Sequence, residues 1–274
     1  MRLIETAKAL AAAGANVLIG GNVVSLGLLA KPGRLMDYAR QCRCLYATYA
    51  DRRGLPQRNV FQVLKNGDEV TQTKEVTLAW QTLPRGESWF VPLASYLADL
   101  VQLCLLCRLL DAKVIFEIGT LQGYTTLHFA LNSRPDGEVY SLDLPPEGGS
   151  APALRTTVID ERLIHKLGTK RQYVFDGLPA AQKIHCLYGD SATFDYTPFA
   201  GKVDLFFIDG AHSYDYVRSD TMNALKCCHP GSVIAWHDFG RFGVNGVSKW
   251  LWELSQKHEV YSIPGGSLAF MVVR

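Results

Sequence analysis

The chain has no run of like charge, no low-complexity tract and no internal repeat. Its 28 basic and 26 acidic residues leave a formal net charge of +2. Without a basic stretch there is no footprint for a nucleic-acid backbone, so no nucleic-acid partner is expected. A second CxxC to match Cys104-x-x-Cys107 is also missing. That lone pair lies in a leucine-rich run, where thiols pack as small hydrophobes, so core packing is expected rather than a zinc or redox site. Seven cysteines, an odd number, fit a reducing compartment, and a cytoplasmic location is the default expectation. A composition 48% hydrophobic and 20% charged argues against disorder. A chain of 274 residues accommodates one α/β domain with an N-terminal extension.

Charge is absent again from Ala9 to Ala30, 22 residues flanked by Lys8 and by Lys31 and Arg34. That length matches a bilayer, but Gly14, Asn16, Gly20, Gly21, Asn22, Ser25 and Gly27 interrupt it, and no small-x-small cleavage site follows. A buried or dimer-forming helical segment in a homo-oligomer is the expectation. Membrane attachment through residues 9–30, or a signal peptide, is the alternative. Residues 1–85 read as an extension for oligomerisation or for capping a substrate. Helix formers dominate up to Gly54, and two β-rich runs in 60–83 flank Asn66-Gly67-Asp68 as a hairpin.

Residues 86–274 read as the catalytic domain. A buried apolar helix, broken only by Asp99 and Arg108, precedes the first strand. From Lys113 onward strands and helices alternate: KVIFEIG, GYTTLHFALNS, GEVYSLDL, a helix near Leu154 to Leu167, IHCLYGD, VDLFFIDG, a helix from Tyr214 to Cys228, SVIAWHD, VNGVSKWLWELSQ, HEVYSI and SLAFMVV. Such alternation predicts an α/β fold with a mostly parallel sheet and helices on both faces. Pro264-Gly265-Gly266 is too short for a crossover helix, so the last two strands must pair as an antiparallel hairpin.

In such sheets ligands lie beyond the carboxyl ends of the strands. The first strand runs into Glu117-Ile-Gly119-Thr120-Leu-Gln-Gly123-Tyr124-Thr125. Gly119 permits a sharp turn with close backbone approach, and Gly123 opens a helix whose first amides, with Thr120, Tyr124 and Thr125, face the site. The Glu117 carboxylate suits a cationic group such as an aminoacyl ammonium. A dinucleotide-type G-x-G-x-x-G is absent, since Glu117 and Leu121 break the pattern. Asp143, ending the second strand, is placed to accept both ribose hydroxyls of an adenosine. Asp190 and Ser191, after the third, are candidates for the adenine edge.

The EIGTLQGYTT segment resembles the turn of catechol and caffeoyl-coenzyme A O-methyltransferases, whose pattern is E-[IL]-G-x-x-x-G-Y-[ST]. FFIDGAHSYDYVRSD followed by PGSVIAWHDF resembles bacterial O-methyltransferases acting on sugars and antibiotics. The resemblance covers residues 86–274. It implies a class I S-adenosylmethionine-dependent methyltransferase with a Rossmann-like seven-stranded sheet. In those families the Asp ending the fourth strand, here Asp209, is a divalent-metal ligand that also borders the cofactor. The residue three positions on, here His212, is the general base, and two adjacent oxygen ligands end the fifth strand.

This sequence has His237-Asp238 at that last place. Asp209, His237 and Asp238 are thus the implied metal ligands, for Mg²⁺ or, given the imidazole, a transition metal. Without metal, His212, His237 and Asp238 would form an acid/base cluster. A hydroxyl is a poor nucleophile until its proton is removed or a metal lowers its pKa, and His212 titrates in the useful range. The expected function is O-methylation of a small-molecule hydroxyl of sugar, phenol or polyketide type, with Asp209, His212 and Asp238 as catalytic residues. The rival readings are a NAD(P)-dependent oxidoreductase and a non-catalytic cofactor-binding protein, attached to a membrane through residues 9–30. Tyr214, Tyr216, Arg218, Trp250, Trp252, Glu87, Ser88 and Trp89 are weaker candidates for substrate contacts.

Overall fold

Seven short apolar runs form one sheet in the computed structural model of the chain, which describes residues 18, 54–64, 74–79, 93–145, 151–166, 172–241, 244–264 and 266–274. The strands are β1 (Val114–Ile118), β2 (Glu138–Asp143), β3 (Ile184–Tyr188), β4 (Val203–Ile208), β5 (Cys228–Trp236), β6 (Val260–Ser262) and β7 (Ala269–Val272). Their order is β3-β2-β1-β4-β5-β7-β6. The first five are parallel, and β7 runs antiparallel to both β5 and β6. This is the expected Rossmann-like sheet with its reversed terminal hairpin.

Register decides where a ligand can sit. Ile118 lies opposite both Leu142 and Ile208, and Ile208 lies opposite Trp236. The carboxyl ends of β2, β1, β4 and β5 are therefore level. The chain order reverses between β1 and β4, which opens a crevice beyond that point.

The described helices are α1 (Val60–Leu64), α2 (Leu93–Leu110), α3 (Tyr124–Asn132), α4 (Val158–Lys166), α5 (Tyr214–Cys227) and α6 (Asn245–Leu254). Alternate side chains of each strand serve opposite faces. Phe206 and Ile208 pack with Phe116, Trp236 and Leu251 under α5 and α6, while Leu205 and Phe207 pack with Ile115, Leu106 and Phe129 under α2 and α3. Burial on both faces explains why these strands read as continuous apolar runs. Each such fully buried side chain contributes roughly 1.5–3 kcal/mol. The indoles of Trp236 and Trp250 both donate to the Thr221 hydroxyl, at 3.0 and 2.9 Å.

The strand expected at residue 60 is a helix. Asn59 and Gln62 cap each other, with Gln62 N–H donating to Asn59 Oδ1 (2.9 Å) and Asn59 N–H to Gln62 Oε1 (3.0 Å), a reciprocal box that starts a helical turn. Val60 is buried against α2. The Asn66-Gly67-Asp68 turn lies outside the described residues, as do the N-terminal helical runs and all of 9–30 except Leu18, which is helical and exposed. Residues 74–79 run beside α3. There Thr77 N–H donates to Asn132 Oδ1 (2.7 Å), and Asn132 Nδ2 donates back to Thr77 O (2.8 Å).

The helix expected from Leu154 starts at Val158, and β5 starts at Cys228, earlier than SVIAWHD implied. Cys104 and Cys107 are buried as expected, and burial pushes the Cys104 thiol up to about 12. Among the described residues no helix is long and apolar enough to cross a membrane.

Candidate active site

The turn after β1 is built on backbone geometry that only glycine supplies. Gly119 has φ +102°, and a Cβ there would lie 2.1 Å from the Asp209 carbonyl oxygen. Gly123 has φ +80°, and a Cβ would strike the Phe175 ring at 2.4 Å. Leu121 between them also has positive φ, 49°, and is exposed, a strained conformation of the kind that collects at ligand-binding loops. Its amide donates to Asp143 Oδ2 at 2.9 Å, while Asp143 Oδ1 accepts from Leu144 N–H at 2.7 Å. Asp143 is thereby fixed beside the turn, half-buried.

Glu117 lies near the end of β1, directly before the turn, as expected. Its side chain is wholly buried beneath the turn, where Oε2 accepts from the hydroxyls of Thr126 and Ser141, each at 2.5 Å. Thr120 joins the same network through Ser141, at 2.7 Å. Burial pushes the Glu117 carboxyl up to about 8, against the pull of those two hydroxyls. Its other oxygen, Oε1, is buried with no hydrogen-bond partner among the described residues. Its place is under the turn. Tyr124 and Thr125 open α3 half-buried at the site.

Asp190 is also committed to the protein. Its Oδ2 accepts from Ala153 N–H (2.8 Å) and Tyr216 Oη–H (2.7 Å), and its Oδ1 from Ala192 N–H (2.9 Å). The carboxylate ties the segment after β2 to α5. Ser191 is buried beside it.

Beyond β4 and β5 lies a dense cluster of charge. His212 Nε2 is 2.7 Å from Asp238 Oδ2, and Nδ1 is 2.6 Å from Asp160 Oδ1. Burial works against charge on this ring, but Asp160 and Asp238 outweigh it and hold its pKa at about 10. His237 Nδ1 lies 3.1 Å from Asp209 Oδ1 and 3.3 Å from Asp238 Oδ1, and Nε2 lies 3.3 Å from Asp99 Oδ2. Against the cost of burial, Asp209 and then Asp238 keep this imidazole protonated, well above its usual range. Arg241 caps the group, 2.8 Å from Asp238 Oδ1. Asp238 itself has φ +63°. Burial opposes its charge, but His237 and His212 hold it well below the usual carboxylate range. Four carboxylates thus interleave with three cations, the arrangement that makes buried charge tolerable.

Asp209, His212 and Asp238 come together as expected, with ligand atoms all within 4.8 Å of one another, an arrangement that can hold a metal ion. The expected metal set included His237, but the trio that converges contains His212 instead. His237 points one nitrogen away, at Asp99. Tyr214 donates to Glu253 (2.6 Å) and lies edge-on to Trp250, so it belongs to the α5–α6 contact. Arg218 stands over the Trp250 ring. Glu87, Ser88 and Trp89 lie outside the described residues.

Sequence reasoning missed Asp99, Asp160 and Arg241. Asp99 gave a usable signal, a carboxylate in an otherwise apolar helix. It accepts from Ser267 N–H (2.9 Å) and Ser267 Oγ–H (3.0 Å) in the hairpin loop. Asp160 gave none beyond its spacing from Thr157.

Residues 116–239 match the model of a family described as a methyltransferase domain. No curated protein matches the chain. Among solved structures, the chain is similar to a cofactor-bound protein from MTB, with 18% identity over 70% of this chain and 84% of that one and a TM-score of 0.47. It is similar to the O-methyltransferase TomG from Streptomyces achromogenes, solved with S-adenosylmethionine, with 21% identity over 65% and 80% of the two chains and a TM-score of 0.44. An O-methyltransferase from Bacillus cereus in complex with S-adenosylhomocysteine gives 19% identity over 71% and 86%, with a TM-score of 0.43.

Proposed function

We propose that this chain, whose residues 116–239 match the model of a methyltransferase domain, transfers the methyl group of S-adenosylmethionine to a hydroxyl of a small molecule of sugar, phenol or polyketide type. One observation carries the reading. The glycine turn and the Asp209–His212–Asp238 trio are in contact, because Gly119 abuts the Asp209 carbonyl. A cofactor on the turn and an acceptor at the trio are then neighbours in one crevice, as direct methyl transfer between two bound reactants requires.

In this reading the amides opening α3, with Gly119, Gly123, Tyr124 and Thr125, face the methionine end of the cofactor. Asp143, held at the end of β2 beside the turn, faces the ribose hydroxyls. The Asp190–Ser191 turn borders the adenine through its backbone, since the Asp190 carboxylate is already used. Glu117 supports the turn from below. The acceptor hydroxyl enters beside Asp209, whose side chain is 28% exposed and is the most open carboxylate of the cluster.

Asp160 and Asp238 hold His212 protonated at rest, so it takes the hydroxyl proton only after Nε2 has released its own, with Nε2 on the crevice side and Nδ1–H still donated to Asp160. The bond from acceptor oxygen to methyl carbon forms as the carbon–sulfur bond breaks, leaving S-adenosylhomocysteine. Two carboxylates and an imidazole also fit a divalent cation, with Asp209, His212 and Asp238 as ligands, and the nitrogen favours a transition metal. When bound, such an ion would supply a lowered pKa for the acceptor hydroxyl. Nε2 cannot be base and ligand at once, and metal titration decides between them.

Calorimetry with S-adenosylhomocysteine and with NADH tests the cofactor. Binding of the first alone supports the reading, and binding of NADH alone overturns it in favour of an oxidoreductase. His212→Ala is expected to keep cofactor binding and lose turnover. Normal turnover by that variant would end the assignment of His212.

A further inference from the structure

We propose that Asp160, on the helix between β2 and β3, is the positioning residue that fixes the His212 ring with Nε2 toward the reaction. The proposal rests on the reading above that His212 serves methyl transfer through Nε2, as base or as ligand.

Asp160 is not at a strand end, yet it is 5% exposed and each of its oxygens has a separate task. Oδ2 accepts from Thr157 N–H (2.7 Å), and the Asp160 amide donates back to Thr157 Oγ1 (3.1 Å). This reciprocal cap starts α4 and sets the direction of the carboxylate. Among the described residues Oδ1 accepts from His212 alone, from its backbone N–H (3.1 Å) and its ring Nδ1 (2.6 Å). Two bonds to one residue hold both the chain and the ring.

The platform under Asp160 is itself anchored. Ala153 N–H donates to Asp190 Oδ2, and Leu154 N–H to the Tyr216 oxygen (3.4 Å), whose own hydroxyl donates to Asp190. From the opposite side α6 presses on the same loop. A Cβ on Gly246 would fall 2.4 Å from the His212 carbonyl oxygen. The loop carrying His212 is therefore gripped between α4 and α6.

The chemical consequence is a choice of nitrogen. Both ring nitrogens face carboxylates, Nδ1 toward Asp160 at 2.6 Å and Nε2 toward Asp238 at 2.7 Å, but only Asp160 also holds the His212 backbone N–H, so Nδ1–H is the anchored side of the ring. The nitrogen available to the reaction is then Nε2, which faces Asp238 in the crevice. Whether that atom accepts a proton or binds a cation, its lone pair must be on that side. An outer carboxylate that fixes the tautomer and orientation of a working histidine is a recurrent device, and its loss costs on the order of 10–100-fold in metal affinity or activity.

The test uses the full chain labelled with ¹⁵N-histidine, the His212 ring signals being assigned by their loss in His212→Gln. Asp160→Asn is expected to shift both His212 ring nitrogens and to speed exchange of the Nδ1 proton. The His237 signals and the affinity for S-adenosylhomocysteine should stay as in the wild type. Thr157→Ala, which keeps the carboxylate but loosens its cap, should shift the same signals by less and serves if Asp160→Asn does not fold. Unmoved His212 signals in a folded variant overturn the proposal. So does a joint fall in melting temperature and cofactor affinity, which would make Asp160 a purely structural residue. A wild-type chain that binds no S-adenosylhomocysteine refutes the methyltransferase reading, while the ring signals still report on Asp160.

Discussion

Gly119 and Asp209 meet backbone to backbone, with no space for a side chain between the turn after β1 and the end of β4. This contact joins the cofactor side of the crevice to the acceptor side. Gly119→Ala therefore adds both a clash and an unfavourable positive φ, and we expect it to cost about 3 kcal/mol or more in urea unfolding. It should also abolish S-adenosylhomocysteine binding by calorimetry. Gly177→Ala is the control, since Gly177 also has positive φ but open space around it, and should cost only about 1 kcal/mol.

Glu117 carries a pH signature. Its folded-state pKa of about 8 lies above the ordinary 4.5, so the folded chain holds a proton that the unfolded chain has released. Stability is then lost as pH rises from 4.5 to 8, by up to about 1.4 kcal/mol per pH unit. Glu117→Gln stays neutral and should show a melting temperature that gains on the wild type across that window. A constant difference from pH 5 to 8 would contradict the buried neutral acid.

His212 contributes with the same slope in a higher window. Its pKa is raised from 6.5 to about 10, so its ion pairs stabilise fully below 6.5 and fade as pH rises through 10. His212→Gln leaves Asp160 and Asp238 without their shared cation, and we expect a loss of about 3–5 kcal/mol at pH 6. That gap between variant and wild type should narrow toward pH 10 in thermal melts.

Asp99 binds three parts of the chain, through His237 after β5, Arg241 and Ser267 in the hairpin loop. Gly266 is obligatory beside it, since a Cβ there would fall 1.7 Å from Asp99 Oδ1. Asp99→Ala strands His237 opposite an apolar gap and should cost about 3–5 kcal/mol in urea unfolding. Asp99→Asn, which keeps an acceptor for Ser267, should cost less.

Metal titration separates the two uses of His212 Nε2. If the trio binds Mn²⁺ in calorimetry, Asp209→Asn and Asp238→Asn should each weaken it strongly, because each removes a charged oxygen ligand. His212→Gln should weaken it as well, and His237→Gln less. Loss with His237→Gln but not with His212→Gln would restore the set expected from the sequence.

The parts of this protein written in its sequence are those with local causes. Short apolar runs alternating with helices, the short Pro264-Gly265-Gly266 link and the glycines of the first turn determined the sheet, its reversed hairpin and the cofactor turn, because such patterns and backbone dihedrals act over a few residues. The α1 turn was legible too, in Asn59-x-x-Gln62, although β-rich composition pointed the other way.

What only the tertiary structure decided is who faces whom among the charges. Asp160 and His212 are 52 residues apart in sequence, and Asp99 and Ser267 are 168 apart. No local pattern encodes such pairings, since they arise where packing brings buried charges within reach and each must find a partner. The same long-range contacts buried Glu117 against Thr126 and Ser141 and brought His212 together with Asp209 and Asp238.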